Sequence, residues 1–205
     1  MYPGQAGVGS RTSLVLLGLI FLAPVVAAWW LYHEDESWRP AGTTNHGILI
    51  TPVRPLERRT GWRTPDGETL APDYLRGKWT LVYIGTGECP AACAESLYRM
   101  RQARLSQGEN MNRVQRLYLI INDRTPTPLP AALGAYAGMD IAVLSPREGL
   151  VFLKQFRIGA ESVQEAHNIY LVDPLGNLMM YFPPETDPGG MLKDLRRLLK
   201  HSQIG

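Results

Sequence analysis

The sequence predicts an α/β domain, a mixed central sheet flanked by helices, preceded by one N-terminal transmembrane helix. Three observations carry this. An uncharged apolar run, Leu14 to Tyr32, stands near the start. Beyond residue 61, segments of strand and helix character alternate. The chain then closes with two strands joined by a turn and a last helix carrying Leu192, Leu195, Leu198 and Leu199 on one face.

The apolar run comes first in the chain. At the rise of an α-helix it spans roughly 28 Å, close to a hydrocarbon core of about 30 Å. Pro24 is tolerated in a membrane helix, and Trp29, Trp30 and Tyr32 stand at one end, where aromatic rings favour the interface. Arg11 precedes the run with no acid before it, and His33, Glu34, Asp35 and Glu36 follow. The positive-inside rule then puts the N-terminus in the cytoplasm and the rest in the periplasm or an equivalent exported space. Cleavage after Ala28 as a signal peptide is the alternative, and it exports the domain equally. The expected layout is a cytoplasmic N-terminus (1–12), a single inner-membrane anchor (13–32), a linker and extension (33–61) and the α/β domain (62–205).

Bulk properties fit this layout. A length of 205 residues suits one domain with appendages, and a hydrophobic fraction of 45% supports a packed core. The net charge is only +2, with no basic stripe interleaved with aromatics, which excludes a nucleic-acid partner. Arg54, Arg58, Arg59 and Arg63 read as a solvated run.

Within the extension, Ile48-Leu49-Ile50 is a short strand and Pro65-Asp66-Gly67 a hairpin turn. Trp79 to Ile84 is a strand rich in β-formers. A helix is expected from Cys89 to about Ser106, and a second buried strand from Arg116 to Ile121. Leu129 to Tyr136 is a weak helix and Ile141 to Leu144 a short strand. Ser145-Pro146 supplies a cap and a first-turn proline for a helix ending near Gly159. Asn168 to Val172 is a strand, Asp173-Pro174-Leu175-Gly176-Asn177 turns it, and Leu178 to Phe182 returns. The order β-α-β-α-β-α-β-β-α, closing on a hairpin and a helix, is the thioredoxin pattern. In such sheets reactive groups gather beyond the carboxyl ends of strands, where Cys89 stands.

The chain has two cysteines, and they stand four residues apart in Cys89-Pro90-Ala91-Ala92-Cys93. Pro90 suits the first helical position, making Cys89 the expected N-cap, where the helix dipole favours a thiolate. Cys93 follows one turn later, about 6 Å along the axis and within disulfide range. Three readings fit the pair: a disulfide that cycles between oxidised and reduced states, a soft-metal site for Cu(I) or Zn, and a static structural disulfide. So small a loop gains little from closure, which disfavours the last. A metal site needs a third ligand. Among the four histidines, His33 lies beside the membrane, His46 in the extension and His201 in the last helical turn. His167, just before the strand Asn168 to Val172, can approach the start of the cysteine-bearing helix.

At these residues the chain resembles the Sco/SenC family of cytochrome c oxidase assembly proteins. Leu75 to Gly85 followed by Cys89-Pro90-Ala91-Ala92-Cys93 is similar to its Tyr-x-Gly-x-x-x-Cys-Pro-x-x-Cys pattern. His167 leading into Ile169-Tyr170-Leu171-Val172-Asp173-Pro174-Leu175-Gly176 resembles its histidine segment. The likeness runs from about residue 45 to the C-terminus. It implies a thioredoxin-like domain that binds copper, as Cu(I) or Cu(II), through Cys89, Cys93 and His167. It also implies a cytochrome c oxidase subunit, or another exported copper or thiol protein, as partner. The chain departs from the pattern at Ala91 and Ala92 between the cysteines, at Ala94 in place of proline, and at Ala166 in place of an acid beside the histidine. Of that family's Asp-Pro-x-Arg-Asp segment only Asn122-Asp123-Arg124 is present. Two functions are therefore expected: copper delivery to the oxidase, or a thiol–disulfide oxidoreductase that keeps partner cysteines reduced through Cys89 and Cys93.

Overall fold

A computed structural model of the chain describes residues 9–34, 44–58, 62–121 and 136–204. The chain divides into two units, Met1–Thr44 and Asn45–Gly205. The first contains helix α1, Ser10–Glu34, which continues through Pro24. Its stretch Thr12–Trp30 is long and apolar enough to cross a membrane, with a mean hydropathy of 2.2. Side chains such as Leu14, Leu19 and Phe21 are exposed.

The second unit is built on six strands, β1 (Ile48–Pro55), β2 (Trp79–Gly85), β3 (Val114–Ile121), β4 (Asp140–Leu144), β5 (Ile169–Val172) and β6 (Asn177–Phe182). They form one sheet in the order β1-β6-β5-β2-β3-β4. β2, β3 and β4 run parallel, while β5, β6 and β1 are each antiparallel to their neighbours. Helices α2 (Ala91–Leu105), α3 (Pro146–Leu153) and α4 (Pro188–His201) complete the domain. This is the thioredoxin-like arrangement expected from the element order.

The central strands are buried on both faces, which is why β2 reads as a continuous apolar run. Alternation along them divides the core. Leu81, Tyr83, Tyr118, Ile120 and Leu171 pack under Cys93, Leu97 and Met100 of α2 and Met191, Leu195 and Leu199 of α4. Val82, Ile84, Leu117, Leu119 and Tyr170 pack on the other face with Phe152 of α3, Phe156 and Trp62. At the β5–β6 turn the Asp173 carboxylate accepts from the N–H groups of Leu175 (2.9 Å) and Asn177 (2.8 Å). Gly176 supplies the positive φ of 86° that this turn requires.

Several boundaries differ from the sequence expectation. The helix expected from Cys89 begins at Ala91, with Pro90 as its N-cap. Cys89 is therefore one residue outside the cap, because a residue before proline is kept out of the helical region. The helix after Ser145 ends at Leu153, short of Gly159. There the N–H groups of Gln155 and Phe156 bond three residues back, tightening the chain out of α geometry. The strand expected at Ile48-Leu49-Ile50 extends to Pro55, and a 3-10 turn, Gly108–Arg113, follows α2. The Pro65-Asp66-Gly67 turn brings Arg63 into a bridge with Thr69. The weak helix expected from Leu129 lies outside the described residues up to 135, as does Asn122-Asp123-Arg124.

Candidate functional site

Two adjacent tyrosines define the floor of the site. Tyr83 on β2 and Tyr118 on β3 are register partners, with ring centroids 5.6 Å apart, on the face covered by α2. Tyr83 also pairs with Ile169 on β5. Two residues before Ile169, just outside β5, lies His167. The antiparallel pairing of β5 with β2 thus carries His167 to the carboxyl end of β2, where the chain leaves for Cys89.

Cys89 and Cys93 are joined in a disulfide, their Cα atoms 5.0 Å apart. Cys93, on the first turn of α2, is 2% exposed and part of the core. Cys89 is half-buried. No side chain caps α2, and its first backbone bond runs from the Ala94 N–H to the Pro90 carbonyl at 3.0 Å. Of the two sulfurs, that of Cys89 belongs to the residue open to a partner.

Each side of the site is tied to one of the tyrosines. Tyr83 Oη lies 2.7 Å from His167 Nδ1, with the two ring planes within 5° of each other. The Gly87 N–H donates to Tyr118 Oη at 3.1 Å, holding the loop that leads to Cys89. A Cβ at Gly85 would stand 3.0 Å from Tyr118 Oη and 3.3 Å from the Tyr83 ring. Glycine at that position gives the two rings their room. Burial pushes the Tyr118 hydroxyl up to about 12, partly countered by the Gly87 N–H. Burial, and then the neighbouring Tyr118, pushes Tyr83 up further. Both stay neutral phenols that hold hydrogen bonds without bringing charge.

Cys93 and His167 line a common pocket of about 230 Å³ with Tyr83, Thr86, Tyr118 and Glu165. On its other side His167 borders a more polar pocket of about 430 Å³ with Glu161, Glu165 and Glu185. The Ser96 hydroxyl donates to the His167 carbonyl at 3.4 Å. Cys89 and His167 both have positive φ, 47° and 48°, a region that non-glycine residues seldom occupy. Among the described residues no three His, Cys, Asp or Glu side chains converge as a ready metal site. In the disulfide form the sulfurs are bonded to each other. They become soft ligands only after two-electron reduction and loss of their protons.

The remaining histidine with a resolved role is His46. Its backbone N–H (2.6 Å) and Nδ1 (3.0 Å) meet the buried Asp194 carboxylate of α4, which also accepts from the Gly47 N–H at 2.8 Å. His46 thus fastens the extension to the last helix. Tyr83, Tyr118 and Ser96 were not marked by the sequence as parts of the site. Tyr83 stands inside the Tyr-x-Gly-x-x-x-Cys run, which is the one signal that pointed towards it.

Fold and site define a thioredoxin-like protein with a CxxxC disulfide at the end of its central strand and a histidine across the pocket. The chain belongs to the family described as transmembrane-like, thioredoxin-like, C-terminal domain, whose sequence model matches residues 79–202. No curated protein sequence matches the chain. Among solved structures it is similar to Bradyrhizobium japonicum ScoI with copper bound, at 20% identity and a TM-score of 0.53, covering 69% of this chain and 98% of that one. Apo Sco1 from Thermus thermophilus gives 17% identity and a TM-score of 0.59, over 77% and 99% of the two chains. The thioredoxin domain of a thiol-disulfide oxidoreductase from Bacteroides vulgatus gives 14% and 0.52, over 69% and 92%. At these identities the likeness establishes the shared fold.

Proposed function

We propose that this protein is a membrane-anchored, Sco-like factor for cytochrome c oxidase assembly. Its reduced Cys89–Cys93 pair, with His167, takes up Cu(I) and passes it to the oxidase copper site. The observation that carries the reading is the placement of Cys93 and His167 on one pocket at the end of β2, with Cys89 linked to Cys93. Two thiolates and an imidazole suit Cu(I), which accepts soft ligands at low coordination number. The exposed apolar stretch Thr12–Trp30 supports a single membrane anchor, with the domain in the periplasm or its equivalent. In cells lacking the gene, the oxidase should lose copper and activity. The wild-type gene should restore both, and Cys89→Ser should not. Full oxidase copper in the deleted strain would sink the proposal.

A second reading has its own observation, the closed disulfide with one accessible residue. With the pair first reduced by an exported dithiol donor, the Cys89 thiolate of a thiol–disulfide oxidoreductase would attack a partner disulfide, and Cys93 would resolve the mixed disulfide. Both cysteines end oxidised and the partner pair ends reduced, with two electrons transferred. Cys93→Ser should then trap partners covalently through Cys89, and Cys89→Ser should trap none. Equal trapping by both variants, or by neither, would count against this reading.

A further inference from the structure

No carboxylate flanks the histidine of the site in sequence, since Ala166 precedes it and Asn168 follows it, although Glu165 lines the same pockets. A histidine that serves as a metal ligand through one ring nitrogen is ordinarily held by a hydrogen bond at the other, which fixes both the tautomer and the direction of the free nitrogen. Here the ring's hydrogen-bond partner is Tyr83 Oη, 2.7 Å from Nδ1, with the two ring planes within 5° of parallel.

We infer that Tyr83 is the positioning residue of the site: its hydroxyl holds Nδ1 of His167, so that Nε2 is the nitrogen presented to a soft metal ion. This rests on the three-ligand reading of Cys89, Cys93 and His167 and adds to it the residue that aims the imidazole. When Nε2 serves as ligand, Nδ1 must carry the ring proton, and Nδ1–H donates to Tyr83 Oη. A phenol can accept this bond without adding charge. A carboxylate in its place would add a negative charge next to two thiolates. The tyrosine is itself fixed. It is 1% exposed, packed against Tyr118 and pinned in mid-sheet between β3 and β5. The rest of the histidine has little freedom either, with its φ of 48° and its carbonyl bonded to Ser96. With the backbone set, the ring torsions remain, and Tyr83 fixes those.

The test uses the full-length chain in detergent, reduced and titrated with Cu(I) against a competing chelator. Tyr83→Phe keeps the ring and its packing and removes one oxygen. It should weaken Cu(I) binding by about tenfold or more, the usual effect of deleting such a partner, and His167→Ala should weaken it further. Nitrogen-15 spectra of histidine-labelled, Cu(I)-loaded protein supply a signature that packing alone would not move. Wild type should show Nδ1 protonated and Nε2 bound, and Tyr83→Phe should show a mixture of the two nitrogens as ligand. Unchanged affinity in Tyr83→Phe, with His167→Ala still weakened, would overturn the inference alone, as would Nδ1 coordination in wild type. A His167→Ala chain that binds Cu(I) as tightly as wild type would instead overturn the three-ligand reading beneath it.

Discussion

His167 and Cys89 share a backbone property that side-chain chemistry would not suggest. Among the described residues they are the two non-glycine positions with positive φ. Each such residue costs on the order of 1–3 kcal/mol, and the cost persists only where surrounding bonds hold the geometry. At His167 those bonds come from Tyr83 and Ser96, and at Cys89 from the link to Cys93. Replacing His167 by glycine or by alanine deletes the same imidazole, but only alanine keeps the steric penalty. His167→Gly should therefore be more stable than His167→Ala by about 1 kcal/mol in denaturant unfolding. Equal stabilities would mean that the left-handed geometry at this position stores nothing. A positive φ at histidine or cysteine leaves no mark in a sequence, which explains why the pair was found as a motif and its strain was not.

The elements differ in how plainly the sequence announces them. β2 and β3 are buried on both faces, so Leu81 to Ile84 and Leu117 to Ile121 form unbroken apolar runs. β1 was foreseen only over Ile48 to Ile50, because Pro52, Arg54 and Pro55 argue against a strand. It lies at the sheet edge, where proline costs no ladder bond on the open side. The cap of α2 stands one residue later than expected, at Pro90, because a proline after a cysteine fits either the first helical position or the cap itself. The start of α3 was legible from Ser145-Pro146, and in the structure Ser145 and Glu148 form a reciprocal capping box there. Ser145→Ala should cost about 1 kcal/mol, read as a shift in the unfolding midpoint. No shift would show that tertiary packing of Phe152 holds the helix start unaided. Tyr83 belongs with the features that were not legible. Its partner is chosen by the antiparallel register of β5 against β2, which joins residues 84 positions apart.

Considered whole, the domain buries Tyr83, Tyr118 and Tyr170 and half-buries Tyr74, and removal from water raises the pKa of each. At Tyr74 a hydrogen bond to the Asp140 carboxylate adds to the effect. The ordinary phenol value is about 10. A folded-state value above the unfolded one means that the stability contributed is fully present below pH about 10, and is lost as pH rises towards the folded value. For Tyr118 that window runs up to about 12. Unfolding free energy should accordingly fall from about pH 10 upwards, with the phenolate absorbance rising as the chain unfolds. Phenolate absorbance that appears at ordinary pH values with the fold intact would show that these hydroxyls are not shielded.

The same packing carries the site. β2 supplies Tyr83 and the exit to Cys89, α2 buries Cys93, and β5 returns His167 to the shared pocket. The claim at the centre is that this disulfide, once reduced, opens into a three-ligand site. X-ray absorption at the copper edge tests it most directly, on the full-length chain reduced and loaded with one equivalent of Cu(I). The account predicts two sulfur ligands and one imidazole, with the imidazole contribution lost in His167→Ala. A reduced chain that retains no copper against a weak chelator, or a spectrum unchanged by His167→Ala, would contradict it.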